Sequence, residues 1–277
     1  MSYTADQKAR AYLRDALPQD SDLSSRFDAL GRDYDDEVDL SEKFMFLQRK
    51  RRRLINEAYG NVLEVSVGTG RNMELYDLRP YDKKENASTG RSRRRRVESM
   101  TFNDKSAVMV EEARRKFDAM LAKRSKVEQF AGRVEWSVGD AAAIGVLKRP
   151  EGGFDTIVQT MGVCSIADAV EELKRLGELV RQPGENSERG EQSVEGKEED
   201  RGGKILLLEH GRGYYEWLNR YLDSGASAHA DHYGCWWNKD VGKIVNESGL
   251  VVERIRRYHM GTTWEVVLRP RRQDVVK

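Results

Sequence analysis

The chain has 277 residues, with 48 Lys and Arg balanced by 47 Asp and Glu, so its net charge of +1 gives no overall pull toward nucleic acid or an anionic membrane. Hydrophobic residues make up 38%, enough for a core, while 34% charged residues and a mean hydropathy of −0.75 imply extensive solvated surface. The two cysteines, Cys164 and Cys235, match no metal or disulfide spacing and suit a reducing compartment; no apolar run reaches the roughly 18 residues of a membrane span, and no secretory signal follows Ser2.

Residues 1 to 25 are polar, with Pro18 as a break. Phe27, Leu30 and Tyr34 then fall on one helical face, which suits either a packing helix or a lid. A second helix is predicted over residues 41 to 58, with Phe44, Leu47, Leu54 and Ala58 apolar. It carries the run Arg49 to Arg53, which reads as a solvated face, the alternative being a contact to RNA or acidic headgroups. The expected organisation is an N-terminal helical extension and lid over 1–58 and one α/β domain over 59–277, interrupted by insertions at 79–98 and 183–203.

The stretch Asn61 to Asn72 organises the rest. Val62, Leu63 and Val65 read as a buried strand, Gly68-Thr69-Gly70 as a tight turn, and a helix is expected from Arg71 onward, continuing over Glu74 to Leu78. Strand, glycine turn and helix start make a nucleotide-binding corner, because glycine admits close approach and helix N–H groups can donate. An acid, Glu64, stands at the strand end, and Met73 occupies the third glycine position of the dinucleotide fingerprint.

A basic stretch without periodicity, residues 79 to 96, separates this turn from the strand Met100 to Asp104. Asp104 lies 34 residues past Gly70, or 16 once that loop of 18 residues is set aside, near the ~20 expected of a ribose-binding acid. Ser106 opens a helix with Met109, Ala113, Phe117 and Met120 on one face. A third strand, Arg133 to Val138, ends in Gly139-Asp140-Ala141, which suits an adenine site or a plain turn. A fourth, Phe154 to Gln159, leads into Thr160 and a helix with Val170, Leu173, Leu176 and Val180 inward. After the acidic insertion, Lys204 to Glu209 is a buried fifth strand. Val251 to Tyr258 and Thr263 to Leu268 form a hairpin.

With these residues placed, the chain resembles the UbiE-like class I methyltransferases that use S-adenosylmethionine (SAM). More narrowly, it is similar to fungal mitochondrial inner-membrane methyltransferase-like proteins, distant relatives of the animal methyltransferase-like thiol methyltransferases. The resemblance rests on Leu63 to Asn72, Phe154 to Val158, Leu207 to Gly213, Gly234-Cys-Trp-Trp-Asn238 and Gly261-Thr-Thr-Trp264, within residues 26 to 270. Ser66 departs from the pattern by replacing a glycine, and Lys105 follows the ribose acid. The implied fold is a Rossmann-like α/β sheet, mostly parallel, with an antiparallel C-terminal hairpin and helices on both faces.

The resemblance implies SAM as cofactor, held by Tyr34, Glu64, Ser66, Gly68, Gly70, Asn72, Asp104, Lys105, Met109, Asp140, Ala141, Gln159 and Thr160. An acid near the turn fits a cationic sulfonium better than a pyrophosphate. Glu209 and His210, at the end of the fifth strand, are the candidate base. Tyr214, Trp236, Trp237 and Asn238 are expected to wall the acceptor. The metal reading of His229 and His232 lacks a third ligand. The acceptor is expected to be a small or lipophilic molecule; a mitochondrial RNA or protein, or a non-catalytic assembly role, are the alternatives. By resemblance the location is mitochondrial, with membrane association only through a segment this sequence does not show.

Overall fold

The computed structural model describes residues 23, 47–79, 96–123, 130–185 and 201–272. Tyr34, Phe27, Leu30 and the arginine run 91–95 therefore lie outside the described residues, as do most of the two expected insertions.

Seven strands form one sheet in the order β3-β2-β1-β4-β5-β7-β6. They are β1 (Gly60–Val65), β2 (Val97–Asp104), β3 (Arg133–Val138), β4 (Thr156–Thr160), β5 (Lys204–His210), β6 (Val251–Tyr258) and β7 (Thr263–Arg269). The first five pair in parallel. β7 pairs antiparallel with both β5 and β6, which makes the hairpin an antiparallel edge. The helices are α1 (Leu47–Ile55), α2 (Ala107–Ala122), α3 (Ala169–Leu179), α4 (Glu216–Tyr233) and α5 (Val241–Glu247).

The period of two along each strand divides the core. Val62, Met100, Phe102, Val158, Leu206 and Leu208 face one side, where Leu54 and Ile55 of α1 and Ala113 and Phe117 of α2 cover them. Leu63, Val65, Ile157, Ile205 and Leu207 face the other, against Leu173 and Leu176 of α3 and Val241 and Val245 of α5. Strands buried on both faces read as continuous apolar runs, as K-I-L-L-L-E does.

Three expectations need correction. No α-helix follows the glycine turn among the described residues; the chain makes turns and one short 3₁₀ segment, Met73–Leu75, before going extended at Tyr76. The side chains of Asn72 and Tyr76 both bond Glu64, which ties this segment to the strand instead of letting it wind on. β2 starts at Val97, so Val97 and Glu98 belong to the sheet rather than to the loop. The ends of the second insertion are packed: Gly203 N–H donates to Arg181 O at 2.7 Å. Helix α5 was not foreseen; Asp240 caps it by accepting from Lys243 N–H.

Among the described residues, no helix is long and apolar enough to cross a membrane.

Candidate cofactor site

The order reverses between β1 and β4, and in open α/β sheets ligands bind outside the carboxyl ends of the strands at such a point. A cavity of about 270 Å³ lies there. Its wall takes Ser66 to Thr69 after β1, Asn103 to Lys105 at the end of β2, Gly139 to Ala142 after β3, and Thr160 to Gly162 at the end of β4.

The glycine turn is shaped by conformation. Gly68 and Gly70 have φ of +53° and +84°, the left-handed region that glycine enters without penalty. A Cβ built on Gly68 would meet no atom within 4 Å, so the turn opens to the cavity there. Asp104 fixes it from below: one carboxylate oxygen accepts from Gly68 N–H at 2.8 Å and the other from Ser106 N–H at 3.0 Å. Asp140 accepts from Ala142 N–H at 2.9 Å and from Lys105 Nζ at 3.2 Å. Two acids at the ends of adjacent strands thus face one space, with Met109 beside them.

Beneath the turn is a buried polar network. Arg51, only 2% exposed, donates to Asn72 Oδ1 at 3.1 Å and Thr160 Oγ1 at 2.5 Å. Asn72 Nδ2 donates to Glu64 at 2.9 Å and Thr160 Oγ1 at 2.9 Å, and the Tyr76 hydroxyl donates to Glu64 at 2.7 Å. Burial raises Glu64 to about 7, against the pull of Tyr76, Asn72 and Arg51. The acid lies behind the turn and does not line the cavity.

Of the expected cofactor residues, the structure brings Ser66, Gly68, Asn72, Asp104, Lys105, Met109, Asp140, Ala141 and Thr160 to the cavity wall. Gly70 stands one turn away, where a Cβ would strike Met73 Sδ at 2.6 Å. Gln159 corrects the reading: it is fully buried and donates to Glu172 at 2.5 Å. Gln159 and Thr160 are neighbours on β4 and point to opposite faces, Thr160 toward Arg51 and Gln159 toward α3. Tyr34 lies outside the described residues.

The expected acceptor wall and base are also corrected. Trp236 is buried against Leu23, Ala226 and Ala230. Trp237 stacks on His229 with ring centres 4.1 Å apart and donates to Leu222 O. Asn238 is buried and donates to Asp223. Tyr214 lies exposed under the Arg257 guanidinium. None of the four lines the cavity, and neither do Glu209 or His210. Glu209 is fully buried and accepts from Gly162 N–H at 3.2 Å; burial raises it to about 8. His210 Nε2 lies 2.8 Å from Cys235 Sγ. The conspicuous aromatic and glycine motifs instead tie three loops together. Gly211 N–H donates to Thr262 O, Arg212 N–H to Lys239 O, and Trp264 Nε1 to Arg212 O.

Sequence reasoning missed Arg51, Glu172, Met161 and Ser165, all on the cavity wall. Arg51 left a signal: it stands four residues after Leu47 and three before Leu54, on the buried stripe of α1. Glu172 sits one residue before the inward Leu173 of α3. Burial raises it to about 7; the Gln159 amide pulls it down, and the nearby Asp140 and Asp104 carboxylates push it up.

No protein-family model matches the chain. The chain is 32% identical over 261 residues to the mitochondrial methyltransferase OMS1 of Saccharomyces cerevisiae, a match over 92% of this chain. It spans about half, 48%, of that protein's length. Among solved structures, the methyltransferase in complex with the Trm112 activator of Haloferax volcanii superposes with TM-score 0.51 at 13% identity, over 88% of this chain and 97% of that one. The YcgJ protein of Bacillus subtilis gives 0.51 at 12%, over 82% and 98%. These likenesses show the fold: the chain shares its sheet architecture with these solved structures, and in sequence it is similar to the yeast mitochondrial methyltransferase.

Proposed function

We propose that this chain transfers a methyl group from SAM to a small or lipophilic acceptor in the mitochondrion. The observation that carries the cofactor reading is the open left-handed turn at Gly68, held by Asp104 and facing Asp140 across one cavity. The Gly68 turn would meet the methionine end, Asp104 the ribose hydroxyls, and Asp140 with Ala141 the adenine. When bound, SAM supplies a methyl group on a sulfonium, activated without help from the protein. The chain's part is to orient the two reactants and keep water out. Thr160, Met161 and Ser165 form the wall at the end of β4, where the acceptor would approach. Glu172, on the same wall, is the acid poised to take a proton near neutral pH.

A small acceptor is favoured over RNA by the fate of the basic run on α1. Arg51 is buried in the site, and Arg53 is committed to Glu265 and Tyr258. With Lys50 over the Tyr258 ring, three of the five cations of the run are engaged within the fold rather than offered to phosphates. The location follows the mitochondrial relative.

Two measurements test the reading. Calorimetric titration should show SAM binding that Asp104→Ala abolishes, since buried hydroxyls lose a charged acceptor. Incubating mitochondrial extract with methyl-labelled SAM and the chain should put label in the organic-soluble fraction. Label confined to RNA or protein would overturn the acceptor class.

A further inference from the structure

Cys164, His210 and Cys235 are far apart in sequence and belong to three different segments. Cys164 lies in a short 3₁₀ turn after β4, His210 ends β5, and Cys235 follows α4. Folding brings Cys164 Sγ, Cys235 Sγ and a ring nitrogen of His210 within 4.8 Å of one another. Both thiols are buried and neither forms a disulfide. His210 Nε2 faces Cys235 Sγ at 2.8 Å, and Cys164 Sγ contacts Met161 O at 3.6 Å and Ser165 Oγ at 3.7 Å. Beside the cluster, Glu209 is fully buried, and its Oε2 has no hydrogen-bond partner of good geometry. Soft sulfur donors, an imidazole and an unsatisfied buried carboxylate converge on a place where apolar packing would be expected.

We propose that these three side chains bind a single Zn²⁺ ion. Two thiolates and an imidazole are the donor set of a three-ligand zinc site. With Zn–S of about 2.3 Å and Zn–N of about 2.0 Å, tetrahedral donors stand roughly 3.5 to 3.8 Å apart. To meet that, the His210–Cys235 contact at 2.8 Å opens by about 1 Å, and any wider separation within the 4.8 Å cluster closes by about 1 Å. Zinc takes the place of the two thiol protons, which leave to solvent, so ion and thiolates sum to zero charge in a buried site. Three protein ligands leave the fourth position to water or an exogenous donor, as in catalytic rather than closed structural sites. The ion would pin the loop carrying Cys235 to the ends of β4 and β5. Gly162 and Ser165, flanking Cys164, line the cofactor cavity, so that clamp borders the site. This proposal does not depend on methyl transfer.

The test uses the whole chain, reduced and stripped of metal with a chelator. Its only two cysteines are Cys164 and Cys235, so any thiolate-to-cobalt charge-transfer band must arise from them. Titration with Co²⁺ should saturate at one equivalent with such a band and a tetrahedral ligand-field spectrum. Zn²⁺ should bleach both, and should raise the melting temperature of the wild-type chain. Cys164→Ser and His210→Asn, checked for wild-type circular dichroism, should weaken Zn²⁺ binding at least 100-fold. Cobalt uptake with no thiolate band in the wild-type chain would overturn the proposal, whatever the variants do. So would unchanged zinc affinity in folded variants, or a Cys164–Cys235 disulfide that re-forms in preference to metal uptake.

Discussion

Arg51 donates to Thr160 Oγ1 at 2.5 Å, joining α1 to the carboxyl end of β4 across 109 residues of sequence. The same guanidinium reaches Asn72 just past the glycine turn. One buried cation therefore fixes the relative position of two walls of the cavity, and Glu64 in the same network carries an opposing charge once pH rises past about 7.

Removing that cation should uncouple the walls. Arg51→Met keeps the apolar stem, leaves Asn72 and Thr160 short of a donor and removes the charge beside Glu64. We expect a loss of roughly 2 to 4 kcal/mol in urea unfolding, because polar partners are stranded rather than replaced. SAM affinity should fall at least tenfold as the turn loosens. A double-mutant cycle with Thr160→Val should give a coupling near 1 kcal/mol or more; additivity within about 0.3 kcal/mol would show that the contact carries no energy.

Glu172 should make stability fall as pH rises. The unfolded chain gives up this proton near 4.5 and the folded chain near 7. Between those values the folded state binds more protons, so the contribution is full below 4.5 and is lost through 7. Glu172→Gln removes the titration and keeps an acceptor for Gln159. At pH 8 the variant should be more stable than wild type by on the order of 1 to 3 kcal/mol, with the advantage gone at pH 4.5. Parallel unfolding curves at the two pH values check this; an advantage that does not change with pH would contradict it.

Asp223, on α4, ties together two of the loops that carry the glycine and aromatic motifs. It receives two bonds from Arg212, at 2.8 and 3.1 Å, and one from Asn238, while only 2% exposed. Asp223→Ala strands a guanidinium and an amide, so a loss of about 3 to 5 kcal/mol is expected. Asp223→Asn should recover part of it. An Asp223→Asn variant that melts with the wild-type chain would mean that the charge is irrelevant.

The sheet and the cofactor corner were legible because local pattern determines them. Val62, Leu63 and Val65 read as a strand whatever lies beyond, and Asp104 fell into register once the loop was discounted. What stayed hidden depends on distant partners. Arg51 sits in a run that reads as solvated until Thr160 is known to lie opposite. Cys164, His210 and Cys235 come from three separate segments whose meeting no spacing announces. Trp236 and Asn238 read as a binding wall because aromatic and amide side chains near glycine look functional; in the fold they pack under α4. The alternation along β4 could have separated Gln159 from Thr160, since Val158 and Thr160 share a face.

Ser66 and Gly162 form the sharpest pair to test. Ser66 holds φ of +52° where a glycine is usual for this turn, a strain of about 1 to 2 kcal/mol for an L-residue. Its side chain occupies the space beside Gly162: a Cβ there would lie 2.6 Å from Ser66 Oγ, 2.7 Å from Ser66 Cβ and 3.0 Å from Gln159 Nε2. Gly162→Ala should therefore destabilise by about 1 to 3 kcal/mol through overpacking. Ser66→Gly relieves the strain but adds chain entropy to the unfolded state of roughly 0.5 to 1 kcal/mol, so its melting temperature should equal or slightly exceed wild type. In the double variant only the flexible end of Gln159 still opposes the new methyl, and the cost of Gly162→Ala should fall below about 1 kcal/mol. Chemical unfolding of the four proteins measures the cycle. If Gly162→Ala costs the same with and without Ser66, the two residues do not share the space between β1 and β4, and the serine is accommodated in some other way.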